Sequence, residues 1–308
     1  MRAVVATRIG GPEVLELQQV PDPEAGPDQV LVRVVSAGVN FADLSSTLGK
    51  YAMAPAPPFI PGLEVAGEEV GSGKPVLAIV PSGGYAELVV ADPRFTWSAE
   101  NLDLEVAGGY ALTSLTAFHA LRHVGRLEPG ETVLVTAAAG GVGSAAIQVA
   151  RALGAGRVIG IASTPEKRVR VMDLGADAAV GYEDEIPGPV DVMVDMVGDA
   201  IFQRALEAMA PFGRMVLIGS SSGAVQQIPG VADLRMRAVG VLPFSLGGLR
   251  LRHPEVFERT AEEGIALIHS GLVRPPIGEV FPLEEAAQAH RRLGSRATTG
   301  KLVLAVKG

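Results

Sequence analysis

ETVLVTAAAGGVGSAAIQVARALGAGRVIGIASTPEKR, residues 131–168, followed by GADAAVGY at 175–182, is the stretch on which the reading of this chain turns. Thr132–Ala137 is a β-branched, apolar run fitting a buried parallel strand, and Ile147, Val149, Ala150 and Leu153 recur at the spacing of an amphipathic helix. Between them, Ala138-x-Gly140-x-x-Gly143 has the spacing of the dinucleotide fingerprint, with alanine in place of its first glycine. Small residues belong there for three reasons. The backbone must turn tightly, a pyrophosphate must approach the N–H groups at the helix start, and the helix must pack close to its strand. Strand, turn, helix and second strand in register therefore predict a nucleotide-binding βαβ unit.

The end of the second strand speaks to the cofactor. An NAD-preferring protein usually places Asp or Glu there to hold the ribose 2'-hydroxyl. Here Arg157–Ala162 is followed by Ser163 and Thr164, with Lys167 and Arg168 just beyond. Hydroxyls and cations suit a 2'-phosphate, which a carboxylate would repel, so NADPH is expected over NADH. The alternative is that Lys167 and Arg168 are simply a solvated first turn of the next helix, with Glu166 diluting their field.

Composition narrows the class. A chain of 308 residues with 48% apolar and 19% charged residues has material for about two domains. No run of about 18 apolar residues occurs, and MRAVVATRIGG has no signal-peptide pattern, so a soluble cytoplasmic protein with no membrane partner is expected. The absence of cysteine excludes disulfides, thiolate catalysis and Cys-ligated metals. A net charge of −8 argues against nucleic acid as a partner, and the arginines at 250, 252, 291 and 292 read as solvated helix surface.

Residues 1 to about 113 lack the βαβ rhythm. Short strands separated by Pro and Gly turns are expected at Arg2–Thr7, Leu15–Gln18, Gln29–Ala37, Glu64–Val70, Val76–Val80 and Ala86–Ala91. From about Glu105 to His123 the periodicity turns helical, and this segment is expected to carry the chain into the second domain. Later strands at Val190–Val197, Gly213–Gly219 and Ala238–Leu242 join those near 132, 157 and 178 in a six-stranded doubly wound parallel sheet. The predicted fold class is thus α/β, with domains at 1–113 plus 263–308 and at 114–262, and the cleft between them as the default site.

AGVNFADLSSTLGKY at 37–51, PGLEVAG at 61–67, GGYAELVV at 83–90, LTSLTAFHAL at 112–121, AAAGGVG at 137–143, DMVG at 195–198, IGSSSGAV at 218–225 and the closing SRATTGKLVL occur in an order and spacing that resembles the medium-chain dehydrogenase/reductase superfamily. The likeness is to its zinc-free quinone oxidoreductase branch, the zeta-crystallin-like enzymes, and spans nearly the whole chain. It implies a GroES-like β-rich catalytic domain, a Rossmann-type cofactor domain, NADPH as donor, and a homodimer joined through the last strand of the cofactor sheet. Zinc-dependent relatives place Cys where this chain has Asn40, and His before the Glu of Gly-His-Glu, where it has Gly62-Leu63-Glu64. No metal is therefore expected. The His119/His123 pair, four residues apart, lacks a third ligand and reads as structural or exposed.

The same resemblance implies Asn40 and Tyr51 as catalytic residues that hydrogen-bond the acceptor oxygen or the nicotinamide. Read without it, Asn40 is a helix N-cap and Tyr51 a packed loop residue. The resemblance also places Gly140, Gly141, Val142 and Gly143 at the pyrophosphate, and Ser163, Lys167 and Tyr182 near the 2'-phosphate. Gly219, Ser220 and Ser221 fall to the nicotinamide ribose and phosphate, and Phe244 to the carboxamide. Asp195, ending a strand before a glycine turn, reads as backbone-bonded rather than as a catalytic acid. Two departures widen the acceptor range: Ser45 stands where bacterial relatives often have tyrosine, and Gly71–Gly84 is shorter than usual.

The function expected is NADPH-dependent reduction of a quinone or similar conjugated carbonyl by metal-free hydride transfer. Two alternatives stay open: a 2-alkenal or enoyl-thioester reductase, with Tyr51 as the proton donor, and an NADPH-binding structural or regulatory protein with negligible turnover.

Overall fold

In the computed structural model, residues 1–198, 200–223 and 227–306 are described, residue 200 by its backbone alone. Ala224 and Val225 of the IGSSSGAV motif lie outside them, as do the last two residues of the expected C-terminal block. The strands in chain order are β1 (Arg2–Ala6), β2 (Leu15–Gln19), β3 (Val30–Val39), β4 (Glu64–Glu69), β5 (Pro75–Ile79), β6 (Leu88–Ala91) and β7 (Thr96–Ser98), then β8 (Thr132–Val135), β9 (Arg157–Ile161), β10 (Ala178–Val180), β11 (Val190–Asp195), β12 (Met209–Leu217) and β13 (Gly240–Pro243), and finally β14 (Ile277–Pro282) and β15 (Lys301–Ala305). The chain divides into two compact units, one of Met1–Leu112, Pro254–Arg259 and Pro275 onward, the other of Thr113–His253 and Thr260–Arg274.

The first unit holds a seven-stranded sheet ordered β14-β15-β3-β4-β5-β7, with β6 also on β3, and the separate antiparallel pair β1–β2. Every pairing in the larger sheet is antiparallel except β14–β15. β3 is its spine, and Val32, Val34, Ala37 and Val39 pack with Val65, Val76, Ala78, Leu302 and Leu304 in one apolar core. Register decides what stands together at the end of this spine. Val39 pairs with Leu302, which brings Lys301 level with Asn40, and Ala37 pairs with Val65, which brings Glu64 level with Gly38.

The second unit is the doubly wound sheet, ordered β10-β9-β8-β11-β12-β13 with every pair parallel. Its strands are apolar on both sides because helices cover both faces. The two-residue period sends Val133, Val135, Val158, Val192 and Val194 to one face, against Ala145, Ala146, Ile147, Val149 and Ala150 of the helix Gly141–Ala152. Leu134, Ile159, Ile161, Met193 and Met215 go to the other, against Phe202, Ala205 and Leu206. Each buried Val, Leu, Ile, Met or Phe among them stabilises the fold by about 1.5–3 kcal/mol relative to exposure.

Three expectations need correction. The helical stretch expected over Glu105–His123 is not continuous: Leu104–Ala107 and Ala111–Phe118 are separate, and His119–Val124 is a π-helical turn. The break falls at Gly108, where a Cβ would lie 2.4 Å from the Ser36 carbonyl oxygen, so strand spine and helix meet backbone to backbone. A short strand, Thr96–Ser98, follows the Asp92-Pro93 turn where none was expected. The expected boundary at 262/263 also differs from the units found, which divide the helix Pro254–His269 after Arg259. Gly264 packs on Leu115 and Phe118, and the backbone at Arg274 exchanges hydrogen bonds with the Gln148 amide, tying 260–274 to the second unit.

Candidate active site

Because the six strands of the second unit run parallel, their carboxyl ends share one sheet edge, and the strand order reverses between β8 and β11. That edge, at the point of reversal, is where doubly wound sheets bind ligands. Gly140–Gly143 follow β8, Ser163 and Lys167 follow β9, Tyr182 follows β10, Gly219–Ser221 follow β12, and Phe244 follows β13. All the expected cofactor residues therefore lie after carboxyl ends of one sheet.

The turn after β8 is built for close approach. Gly140 is the N-cap of the helix Gly141–Ala152, with Gly140, Gly141 and Val142 half-buried and Gly143 buried. A Cβ on Gly143 would sit 2.3 Å from the Ala137 carbonyl oxygen and 2.7 Å from Ala138 Cα, so only glycine lets helix and strand meet there. Ala137 itself has φ of 44°, in the left-handed region. Among the described residues no side chain caps this helix start, and the first N–H groups of a helix, lacking partners within it, are the arrangement that receives a phosphate.

After β9, Ser163 is exposed and Thr164 caps the helix Pro165–Asp173, its side chain accepting from the Lys167 N–H at 3.3 Å. Lys167 and Tyr182 are half-buried. No carboxylate stands at the strand end itself. Glu166 lies in the helix's first turn, its carboxyl held below the usual range by its own backbone N–H and then by Thr164. Beyond β12, Gly219 and Ser220 are exposed, while the Ser221 N–H donates to the Met196 carbonyl at 2.9 Å. Phe244 stacks on the His119 ring, with centroids 6.1 Å apart and an interplanar angle of 12°.

Two residues near this edge prove to be structural. Asp195 is fully buried and accepts from Thr136 Oγ1 at 2.8 Å, the Val197 N–H at 2.9 Å and the Gly198 N–H at 3.1 Å. It ties β11 to β8. His119 pairs its Nδ1 with the Leu115 carbonyl and its Nε2 with Thr260 Oγ1, both at 2.8 Å. Neither ring nitrogen is presented to a metal, and burial pushes the imidazole down to about 4, keeping it neutral.

The first unit carries a buried polar cluster. Asn40 is the N-cap of the helix Phe41–Thr47 and is 8% exposed. Its backbone N–H donates to Asp43 Oδ2 at 2.8 Å, while its Nδ2 donates to Glu64 Oε1 at 3.1 Å and to the Gly38 carbonyl at 3.2 Å. Asn40 Oδ1 accepts from Lys301 Nζ, which also pairs with Glu64 Oε1 at 2.8 Å. Tyr51 is half-buried in the following loop, its carbonyl accepting from the Ala54 N–H at 3.0 Å.

Asp43 continues the cluster. Its Oδ1 accepts from the Gly62 N–H at 3.3 Å and its Oδ2 from the Tyr85 hydroxyl at 3.2 Å, and Tyr85 Oη lies 3.2 Å from His290 Nε2. Burial pushes Asp43 up to about 6, opposed by the Asn40 N–H, Lys301 and the Tyr85 hydroxyl, so the carboxyl is ionised at neutral pH. Tyr85 then donates to Asp43, and His290 donates its Nε2 hydrogen to Tyr85 Oη. This leaves His290 Nδ1, which has no partner among the described residues, as a lone pair rather than a buried N–H.

Zinc does not suit this arrangement. The positions that supply thiolate and imidazole in zinc-dependent relatives hold an amide and Leu63, and the neighbouring carboxylate already pairs with an ammonium. Sequence reasoning missed Glu64, Lys301 and Asp43 as members of the cluster. The available signal was one charge of each sign inside the apolar runs LEVAG and KLVLAV.

Comparisons with known proteins agree with this architecture. Residues 26–101 match the alcohol dehydrogenase GroES-like domain and 153–304 the zinc-binding dehydrogenase family model. The chain is 33% identical to quinone oxidoreductase-like protein 2 of Bos taurus, over 99% of this chain and 93% of that protein. It is 35% identical to the quinone oxidoreductase of Sus scrofa, over 99% and 97%. The quinone oxidoreductase from Thermus thermophilus, solved alone and in complex with NADPH, superposes with a TM-score of 0.90 at 40% identity, covering 99% of this chain and 100% of that one. Sheet order, glycine turn and whole-chain likeness together place the protein in the zinc-free quinone oxidoreductase branch of the medium-chain dehydrogenase/reductase superfamily, as an oxidoreductase.

Proposed function

We propose that the protein is an NADPH-dependent quinone oxidoreductase that reduces a quinone or similar conjugated carbonyl without a metal. The observation that carries the reading is the turn after β8, where Gly143 has no room for a Cβ, on a sheet whose next strand ends in Ser163 and Thr164 rather than a carboxylate. Relatives bearing the name quinone oxidoreductase, one of them solved with NADPH, support it. In this reading Gly140, Gly141, Val142 and Gly143 hold the pyrophosphate, and Ser163, Lys167 and Tyr182 the 2'-phosphate side. Gly219, Ser220, Ser221 and Phe244 hold the nicotinamide half. When bound, the dihydronicotinamide supplies a hydride from C4.

The protein's own contribution is to place the acceptor and favour charge on its oxygen. A conjugated acceptor spreads incoming charge onto that oxygen, so hydrogen-bond donors suffice where an isolated carbonyl needs a Lewis acid. Asn40 Nδ2 and the Tyr51 hydroxyl are the proposed donors. The Asn40 bond to the Gly38 carbonyl, at 3.2 Å, is the one an acceptor oxygen takes over, while Glu64 keeps the other hydrogen. We also propose a homodimer through β13, which among the described residues pairs on one side only and lies at the end of the sheet.

NADPH oxidation with benzoquinone, phenanthrenequinone, a trans-2-alkenal and crotonyl-CoA, before and after dialysis against a chelator, tests the reading. Turnover is expected with the quinones, unchanged by chelation. Preference for the alkenal or the thioester would reassign the substrate, and loss of activity restored by zinc would overturn the metal-free mechanism.

A further inference from the structure

The polar cluster of the first unit contains a full positive and a full negative charge in its interior: Glu64 is 0% and Lys301 3% exposed. Such a pair gains little stability over apolar residues of the same volume, because desolvation offsets most of the attraction. Its geometry has another consequence. The ammonium can only donate and the carboxylate can only accept, so a carboxamide lying between them is held in one orientation. Asn40 lies between them, with Oδ1 on Lys301 Nζ and Nδ2 on Glu64 Oε1 at 3.1 Å. The remaining Glu64 oxygen is fixed by the Leu112 N–H at 2.8 Å, and the Asn40 backbone by Asp43 at 2.8 Å. Gly38 makes room for this arrangement, since a Cβ there would come within 2.4 Å of Glu64 Oε1.

We propose that Lys301 and Glu64 are positioning residues for the reduction, a clamp that keeps one hydrogen of Asn40 Nδ2, rather than the lone pairs of its oxygen, available to the acceptor. The inference rests on the proposed reaction, in which Asn40 donates to the acceptor oxygen. An unclamped carboxamide can flip, and the flipped form turns lone pairs toward developing negative charge. The clamp belongs to the strand register of β3, β4 and β15, remote in sequence from the glycine turn, so it should govern the chemical step rather than NADPH affinity.

The test is the paired variant Lys301→Met/Glu64→Gln, which removes both charges of the pair together, so that neither is left buried without the other. Wild type, this variant, Asn40→Ala and the triple combination are compared for kcat with benzoquinone and for NADPH dissociation constant. The paired variant is expected to lose about tenfold or more in kcat, with NADPH affinity within about twofold of wild type. Adding Asn40→Ala is expected to cost little more, because the three residues act as one unit. Glu64→Gln alone, which keeps size and shape, is expected to lower kcat in the same sense and decides the matter if the paired variant does not fold. Wild-type kcat in these variants, or a full multiplicative loss on adding Asn40→Ala, overturns the clamp alone. A wild type inert with every acceptor overturns both the clamp and the proposed reaction.

Discussion

Buried imidazoles are the residues through which acid should act on this fold. Burial pushes both His119 and His290 down to about 4 from 6.5, so the folded state holds them neutral where the unfolded chain would protonate them. Their contribution is complete above pH 6.5 and is lost as the pH falls from there to about 4. Asp43 runs the opposite way: raised from 3.8 to about 6, its contribution is complete below 3.8 and lost as the pH rises through about 6. Two imidazoles oppose the one raised carboxyl, and the lowered carboxyls of Glu13, Glu87, Glu131, Glu166 and Asp177 lose their contribution in the same acid direction, so the melting temperature is expected to drop on acidification through this window. In His119→Gln/His290→Gln the drop should be smaller. Scanning fluorimetry from pH 7 to about 4 checks this, and equal drops in both proteins would contradict it.

Which individual residues were legible in the sequence follows from how local their reasons are. Gly143 could be read because the steric demand on it comes from Ala137 and Ala138, a few positions away. Asp195 could be read as backbone-bonded because two of its donors, Val197 and Gly198, follow it directly. Lys301 could not, because its partner Asn40 is 261 residues away. Asn40 was legible as an N-cap, but the direction of its carboxamide depends on Glu64, 24 positions on, and on Lys301.

Secondary-structure elements with apolar runs on both faces, such as β8, β9 and β11, were legible to within about two residues because burial and period agree. The stretch from Glu105 to His123 was not, since Gly108 answers to a backbone contact with Ser36 that no local pattern announces. The element that carries the next expectation is β13. It is the last strand of its sheet, and the adjoining helix Val231–Arg237 exposes Val231 at 83% and Met236 at 80%. Phe212, in β12, is also 80% exposed. An open edge flanked by apolar side chains favours pairing with a second copy. Sedimentation velocity is expected to show a dimer, shifted toward monomer by Met236→Glu. A wild type that sediments as a monomer at micromolar concentration would contradict the edge pairing.

At the level of the whole chain, the rhythm of the sequence changes near residue 113, whereas no local pattern marks 260–274 as part of the second compact unit. The helix Pro254–His269 is continuous, and its later part is held by packing on Leu115 and Phe118 rather than by anything in its own sequence. No helix among the described residues is long and apolar enough to cross a membrane. Everything proposed for the chemistry depends on the carboxyl edge of the doubly wound sheet gripping a reduced pyridine nucleotide with a 2'-phosphate. Isothermal titration calorimetry of the wild type and Lys167→Ala with NADPH and NADH measures this directly. Wild type is expected to bind NADPH about tenfold or more tightly than NADH, and Lys167→Ala to weaken NADPH alone. No heat of binding with either nucleotide, or equal affinities untouched by the substitution, would contradict it.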